Sequence, residues 1–202
     1  MSFNKAHEHE QAAQQHRENG DFVEAGECYT AAAYIYLADW PPTHRGKNVS
    51  HGEYYLLNAA TCYRLGGCTD RARNRCQQGV LIAEELLDRT KNIGGTTAYD
   101  RARYAAWYEF IGDFRVVGIL TEKVSAYERA EQIYFEEGDP PLAHREQEHI
   151  WLVEFFEQIL HESDGDVENW RKIMQEMTFS EWVKYKQEHL PDAFDKLISQ
   201  SE

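Results

Sequence analysis

No run of 18 apolar residues occurs in the sequence, which excludes a helical membrane span. Alternating runs rich in Val, Ile and Thr are almost absent, which argues against a β-sheet core. The four cysteines, Cys28, Cys62, Cys68 and Cys76, form no CxxC pair and have no histidine pair at zinc-finger spacing behind them. Neither a disulfide framework nor a structural zinc site is expected, and no metal or other cofactor is implied. Cys28, Cys62 and Cys76 stand among Ala, Tyr and Gly on apparent helix faces, where a thiol serves as a small buried hydrophobe. Catalytic signatures are missing too: there is no GxSxG, no GxxxxGK[ST], no HExxH and no GxGxxG. Lysine is scarce, with 8 among 21 basic residues against 35 Asp and Glu, and the formal net charge is −14. Such a surface repels phosphate backbones, so a nucleic-acid role is disfavoured. Acid excess with little lysine resembles proteins of high-salt cytoplasms, where screening relieves self-repulsion, so a halophilic setting is expected. The start, MSFNKAHEHE, has no apolar signal core, which points to the cytoplasm.

The 202 residues suit one domain or one short helical array, and are enough to bury a core without covalent staples. Helix periodicity dominates, broken by readable punctuation. A first helix is predicted over 4–19, closed by Gly20. Asp21 with Glu24 has capping-box spacing and opens a second helix over 22–40, stopped by Pro41-Pro42. Ser50 with Glu53 reads as another capping box and opens a third over 51–65, closed by Gly66-Gly67. Thr69 opens a fourth over 70–90. A fifth, over 98–111, is expected to end at Gly112, with Asp113 opening a sixth through Glu137. Gly138-Asp139-Pro140-Pro141 reads as a stop and a start, with Asp139 capping a seventh helix over 141–163. Three shorter helices follow: 167–176, 179–189 after a Thr178–Glu181 capping box, and 192–200 after Pro191.

Gly20, Gly66 and Gly112 are spaced 46 residues apart, and two of them are followed by Asp-Phe. A fixed period with helix–turn–helix punctuation marks an α-solenoid. The first unit, AAQQHRENGDFVEAGECYTAAA, places Ala13, Gly20-Asp21-Phe22, Ala25, Tyr29 and Ala32 in a small–aromatic–small series. Ala60, Tyr63, Gly67, Ala72 and Gly79 repeat it, as do Tyr127, Ala130, Tyr134, Gly138 and Ala143. The pattern resembles the tetratricopeptide repeat and, in its longer spacing, the soluble NSF attachment protein family. Small residues let helix axes approach to about 8 Å while aromatics fill the flanking space. The resemblance implies an all-α fold: antiparallel helical hairpins stacked as a short right-handed solenoid over residues 1–163, with 164–202 as a helical cap packed on it. Trp170, Ile173, Met174 and Met177 share one face of that cap.

By the same resemblance the protein is a non-catalytic scaffold that binds a peptide or helical partner. In that family the inner faces of the first helices take the ligand, and Asn58 and Arg103 fall at positions used by carboxylate clamps. Glu10 and Gln14 stand where the first unit would need a basic residue and Asn. Arg71, Arg73 and Arg75 form the densest basic cluster, followed by Arg101 and Arg103. Guanidinium binds carboxylate in a fixed bidentate geometry, so an acidic partner would dock there. Two other expectations stand beside this one. Glu146-x-x-His149, with His144 and Glu148 nearby, has the spacing of carboxylate-bridged metal bundles, though no second such motif is present. Self-assembly into a homo-oligomer is the third, because the second helix and the C-terminal segment are rich in aromatics.

Overall fold

The structure is a computed structural model, and it describes residues 3–38, 47–91, 98–144 and 147–201. Nine α-helices run in order through the described residues: α1 Phe3–Glu18, α2 Phe22–Leu37, α3 Lys47–Leu65, α4 Thr69–Lys91, α5 Ala98–Val117, α6 Lys123–Glu136, α7 Gln147–Glu162, α8 Val167–Met174 and α9 Phe179–Ser201. A short 3-10 turn, Leu142–His144, precedes α7. Pro141 and Thr178 form an isolated bridge, and the described residues hold no strand. No helix among them is long and apolar enough to cross a membrane.

From α1 to α6 each helix packs on the next, and the fully buried alanines explain how they come close. Ala13, Ala25, Ala32, Ala60, Ala72 and Ala105 have no exposed surface. Aromatic rings close over bare backbone at the crossings. A β-carbon at Gly112 would lie 2.5 Å from Tyr127 Cε1, and one at Gly26 would lie 2.8 Å from Tyr63 Cε1. Small residue and aromatic thus meet at these two crossings as local packing.

Gly112 itself is not a turn. It lies inside α5, which continues to Val117 and buries Asp113 and Phe114 completely. The helix ends that are turns share one hydrogen-bond pattern. At Gly20, Gly20 N donates to Arg17 O (3.1 Å) and Asp21 N to His16 O (2.9 Å). Gly67 and Gly138 repeat it, and all three glycines have positive φ, between +71° and +88°. At the end of α5 the same bonds form around Ile119, at φ +51°. The 46-residue glycine interval is thus not the interval of the turns.

Four further boundaries differ from expectation. Helix α3 begins at Lys47, so Ser50 and Glu53 lie within it, fully buried, instead of capping it. Asp21 occupies the N-cap position of α2 but makes no capping hydrogen bond. Asp139 does not cap the segment after it; Oδ1 accepts from Ser180 N at 2.8 Å, at the start of α9. Pro191 does not divide the C-terminal segment: α9 runs through it, because Leu190, Phe194 and Leu197 keep one buried face. The Thr178–Glu181 capping box is present, with Thr178 N donating to Glu181 Oε2 at 2.9 Å and Glu181 N to Thr178 Oγ1 at 3.4 Å.

The last three helices fold back over the array. α7 packs on α3 and α5, and α9 packs on α6 and α7 and touches α5. The inner sides of α3 and α5 are therefore covered by the chain's own helices.

Candidate functional site

Three successive odd-numbered helices each extend a polar group to a carboxylate of α7. From α5, Arg103 Nε donates to Glu148 Oε1 at 3.1 Å, and its Nη2 reaches the same oxygen. From α3, the Tyr54 hydroxyl donates to Glu154 Oε1 at 3.2 Å. From α1, Arg17 pairs with Glu162. Asn58 joins this row: its Oδ1 accepts from Arg17 Nη1 at 3.2 Å, and its Nδ2 donates to Tyr54 O at 3.0 Å. Asn58 and Arg103, the two clamp positions, thus lie on one face, and Arg103 does hold a carboxylate. That carboxylate belongs to the same chain.

The arginines of α4 do not converge. Arg71 donates to Glu27 Oε1 at 2.9 Å and lies over the Tyr63 ring, 4.4 Å from its centroid. Arg73 turns to Asp70 at 3.3 Å. Arg75 bonds Gln78 Oε1 at 2.9 Å and the Tyr34 hydroxyl. Each is engaged with a neighbour on the surface, where such pairs contribute little. The Arg101 side chain lies outside the described residues.

The candidate metal ligands are not gathered on one helix. His144 sits in the 3-10 turn, and its side chain, like all of Glu146, lies outside the described residues. Glu148 is taken by Arg103. His149 Nε2 is 2.9 Å from the Tyr134 hydroxyl, and its ring packs on Phe179. Among the described residues no three His, Cys, Asp or Glu side chains are grouped to hold a metal ion. The cysteines are free; Cys62 and Cys76 are buried, and burial pushes the Cys62 thiol up to about 11 and that of Cys76 higher still. Thiols held protonated in this way are poor nucleophiles.

A polar cluster not expected from the sequence lies deeper. Glu109 and Asp113 of α5, one turn apart, face Lys186 of α9, and none of the three is exposed. Lys186 Nζ is 3.2 Å from Glu109 Oε2 and 2.8 Å from Asp113 Oδ2. The remaining acceptor positions are filled by Tyr134 (2.6 Å) and Trp182 (2.9 Å) on Glu109, and by Tyr127 (2.7 Å) on Asp113. Burial outweighs Lys186 at Asp113 and raises its carboxyl to about 6. The signal was legible only in part: two acids four residues apart on an otherwise apolar helix face, with one lysine among Trp182, Val183 and Leu190. Closed to solvent on every side, the cluster joins α5, α6 and α9 and offers no access to a substrate.

An open cleft of about 820 Å³ lies beside α7, bounded by α1, α2, α3, α8 and the end of α9. Phe22, Tyr29, Tyr54, Leu65, Val167 and Leu197 supply its apolar lining, with Glu10, Arg17 and Glu18 from α1 and Glu154, Glu157 and Glu162 from α7. Beside Tyr54, Trp151 stacks on His51 with ring centroids 4.0 Å apart. Burial lowers His51 to about 4, so its ring is neutral at pH 7.

Fold and surface together define, among the described residues, an all-helical protein whose helices pack with their neighbours beside an open cleft. The chain matches no protein-family model, no curated protein and no solved structure.

Proposed function

We propose that this chain is a non-catalytic scaffold of tetratricopeptide-like helical hairpins, which binds a peptide segment or helical partner in the cleft beside α7. The observation that carries the reading is the way α7 is seated. A 16-residue amphipathic helix lies across α3 and α5, with apolar residues Leu152, Phe155, Phe156 and Ile159 facing in. Its carboxylates are met by Arg103, Tyr54 and Arg17. That is how a helical array engages a helix: an apolar stripe in a groove, with register fixed by polar side chains. The array already performs this inside its own chain, and the cleft extends the same surface to where α7 stops.

Engagement of Asn58 and Arg103 by internal partners moves the expected site away from the central inner face. The net charge of −14 supports a high-salt cytoplasm as the setting, and unfolding below about 1 M salt is the expected behaviour. Selection of displayed random peptides against the folded chain tests the binding role. Enrichment of a shared motif, competed by a bulky substitution at Gln14 in the cleft wall, is the expected result. Stoichiometric iron or zinc in the purified protein, with no peptide enriched, would reverse the reading.

A further inference from the structure

The partner's charge can be read from the cleft. Five carboxylates line it, from Glu10, Glu18, Glu154, Glu157 and Glu162, against two guanidinium groups, Arg17 and Arg171. Arg17 is spent on Glu162 and Arg171 on Glu157, at 3.2 Å. Glu10, Glu18 and Glu154 are left with no Lys or Arg among the described residues. Glu10 has the exposed His7 ring beside it, at 3.1 Å, and lies against the Tyr55 hydroxyl, while Glu154 accepts from the Tyr54 hydroxyl. Glu10 and Glu154 come from different helices, line the same cleft, and are close enough for the charge of Glu10 to act on the Glu154 carboxyl. Partial burial raises the Glu154 carboxyl, and the charges of Glu10 and Glu157 add to the rise. Like charges held together in this way store repulsion that an incoming cation relieves.

The floor between them is aromatic and aliphatic. Tyr29 and Tyr54 line it although little of either is exposed, and an aromatic ring favours a cation as well as an apolar side chain. We propose that the cleft takes a basic amphipathic helical segment of a partner protein, its lysines or arginines between Glu10, Glu18 and Glu154 and its apolar side chains on Tyr29, Tyr54 and Leu65. This rests on the scaffold reading above and reverses the sign expected from the arginine cluster. Arg71, Arg73 and Arg75 each bond a neighbour of the same chain, which an acidic partner would have to displace.

The test uses two labelled synthetic helices of equal length with leucine on one face, one carrying lysine and one glutamate on the other. Anisotropy titrations with the full chain should show binding of the lysine helix and none of the glutamate helix. Glu10→Gln/Glu18→Gln/Glu154→Gln should weaken the lysine helix at least about tenfold. Glu84→Gln/Glu128→Gln/Glu188→Gln, which removes the same charge from exposed sites elsewhere, should leave it within about twofold. Glu10→Gln alone, a single isosteric change at a half-buried position, should weaken it about threefold and guards against misfolding of the triple variant. Equal weakening by both triple variants would overturn the proposal, because the charge attraction would then be general. Cleft-dependent binding of the glutamate helix would also overturn it, while the scaffold reading survived. If neither helix binds and peptide selection is also empty, both fall.

Discussion

Lys186→Met tests the buried charge cluster that fastens α9 to the array. Methionine keeps the length of the side chain and removes its charge. Glu109 and Asp113 would remain, with no exposed surface and no cation. Removing one member of a buried pair costs about 3–5 kcal/mol, since the partner is left charged in a poor solvent. A chain of this size is stable by about 5–15 kcal/mol, so the loss is a large fraction of the whole. The cost also depends on pH, and the sign follows from Asp113. Its carboxyl is already raised to about 6 with Lys186 present. Without the lysine it rises further, so the folded state takes up a proton before the unfolded state does. The penalty on a raised carboxyl is present above its folded pKa and is relieved as pH falls toward the ordinary value. Urea unfolding followed by circular dichroism should therefore show a deficit of about 3–5 kcal/mol at pH 7.5, narrowing by about half at pH 5. Adding Glu109→Gln and Asp113→Asn should recover most of the deficit at pH 7.5. A loss below about 1 kcal/mol, or one that is the same at both pH values, would refute the claim that Lys186 compensates these carboxylates.

Ile119→Gly should stabilise the chain by about 1 kcal/mol in the same unfolding assay, since a β-branched residue at φ +51° is strained and its side chain is mostly exposed. Gly112→Ala should destabilise by about 1–3 kcal/mol, because the new methyl meets the Tyr127 ring; wild-type stability would mean that this crossing is looser than it is drawn. His51→Phe should remove an acid-sensitive contribution. The folded ring titrates at about 4 against an ordinary 6.5, so stability present above pH 6.5 is lost as pH falls through that window and is level below it. With partial exposure discounted the step is about 1–2 kcal/mol, and it should be missing from the stability–pH curve of the variant.

Helix ends were legible where glycine supplied the left-handed residue. Gly20, Gly67 and Gly138 close α1, α3 and α6 through one pattern of backbone bonds, and each stands out in the sequence. The end of α5 makes the same bonds around Ile119, a residue that carries no such signal. The nearby Gly112-Asp113 pair, which copies Gly20-Asp21, drew the boundary to the wrong place. The two pairs differ in what lies beyond them. After Gly112 the apolar period continues through Phe114, Val116 and Val117, all buried, so tertiary packing keeps the helix going. Pro191 was misread for the same reason, because a proline's local cost of about 3 kcal/mol is set against a buried face that runs across it. Ser50 and Glu53 matched a capping box in spacing alone, and both are buried inside α3. Asn58 and Arg103 could be placed on one inner face from their register. Their partners Arg17 and Glu148 lie 41 and 45 residues away in sequence, a separation that no local pattern reports.

The length of α7 explains why the cleft exists. Sixteen residues at about 1.5 Å each give a helix of about 24 Å. Helix axes pack about 8–10 Å apart, so such a helix spans two or three neighbours and no more. It begins against Arg103 on α5, passes Tyr54 on α3, and reaches α1 only at Glu162, its last residue. There Asp164, at φ +55°, turns the chain away toward α8. Among the described residues no helix covers the face of α1 before Arg17, which carries Glu10 and Gln14 into the cleft. The carboxylates of α7 explain the sign of what remains. Arg103 of α5, Arg171 of α8 and Arg17 of α1 meet Glu148, Glu157 and Glu162, and Glu154 meets a tyrosine instead. Glu10, Glu18 and Glu154 therefore leave the cleft beside α7 with an excess of carboxylates, and on the proposed reading a positively charged helix would complete there the coverage that α7 begins.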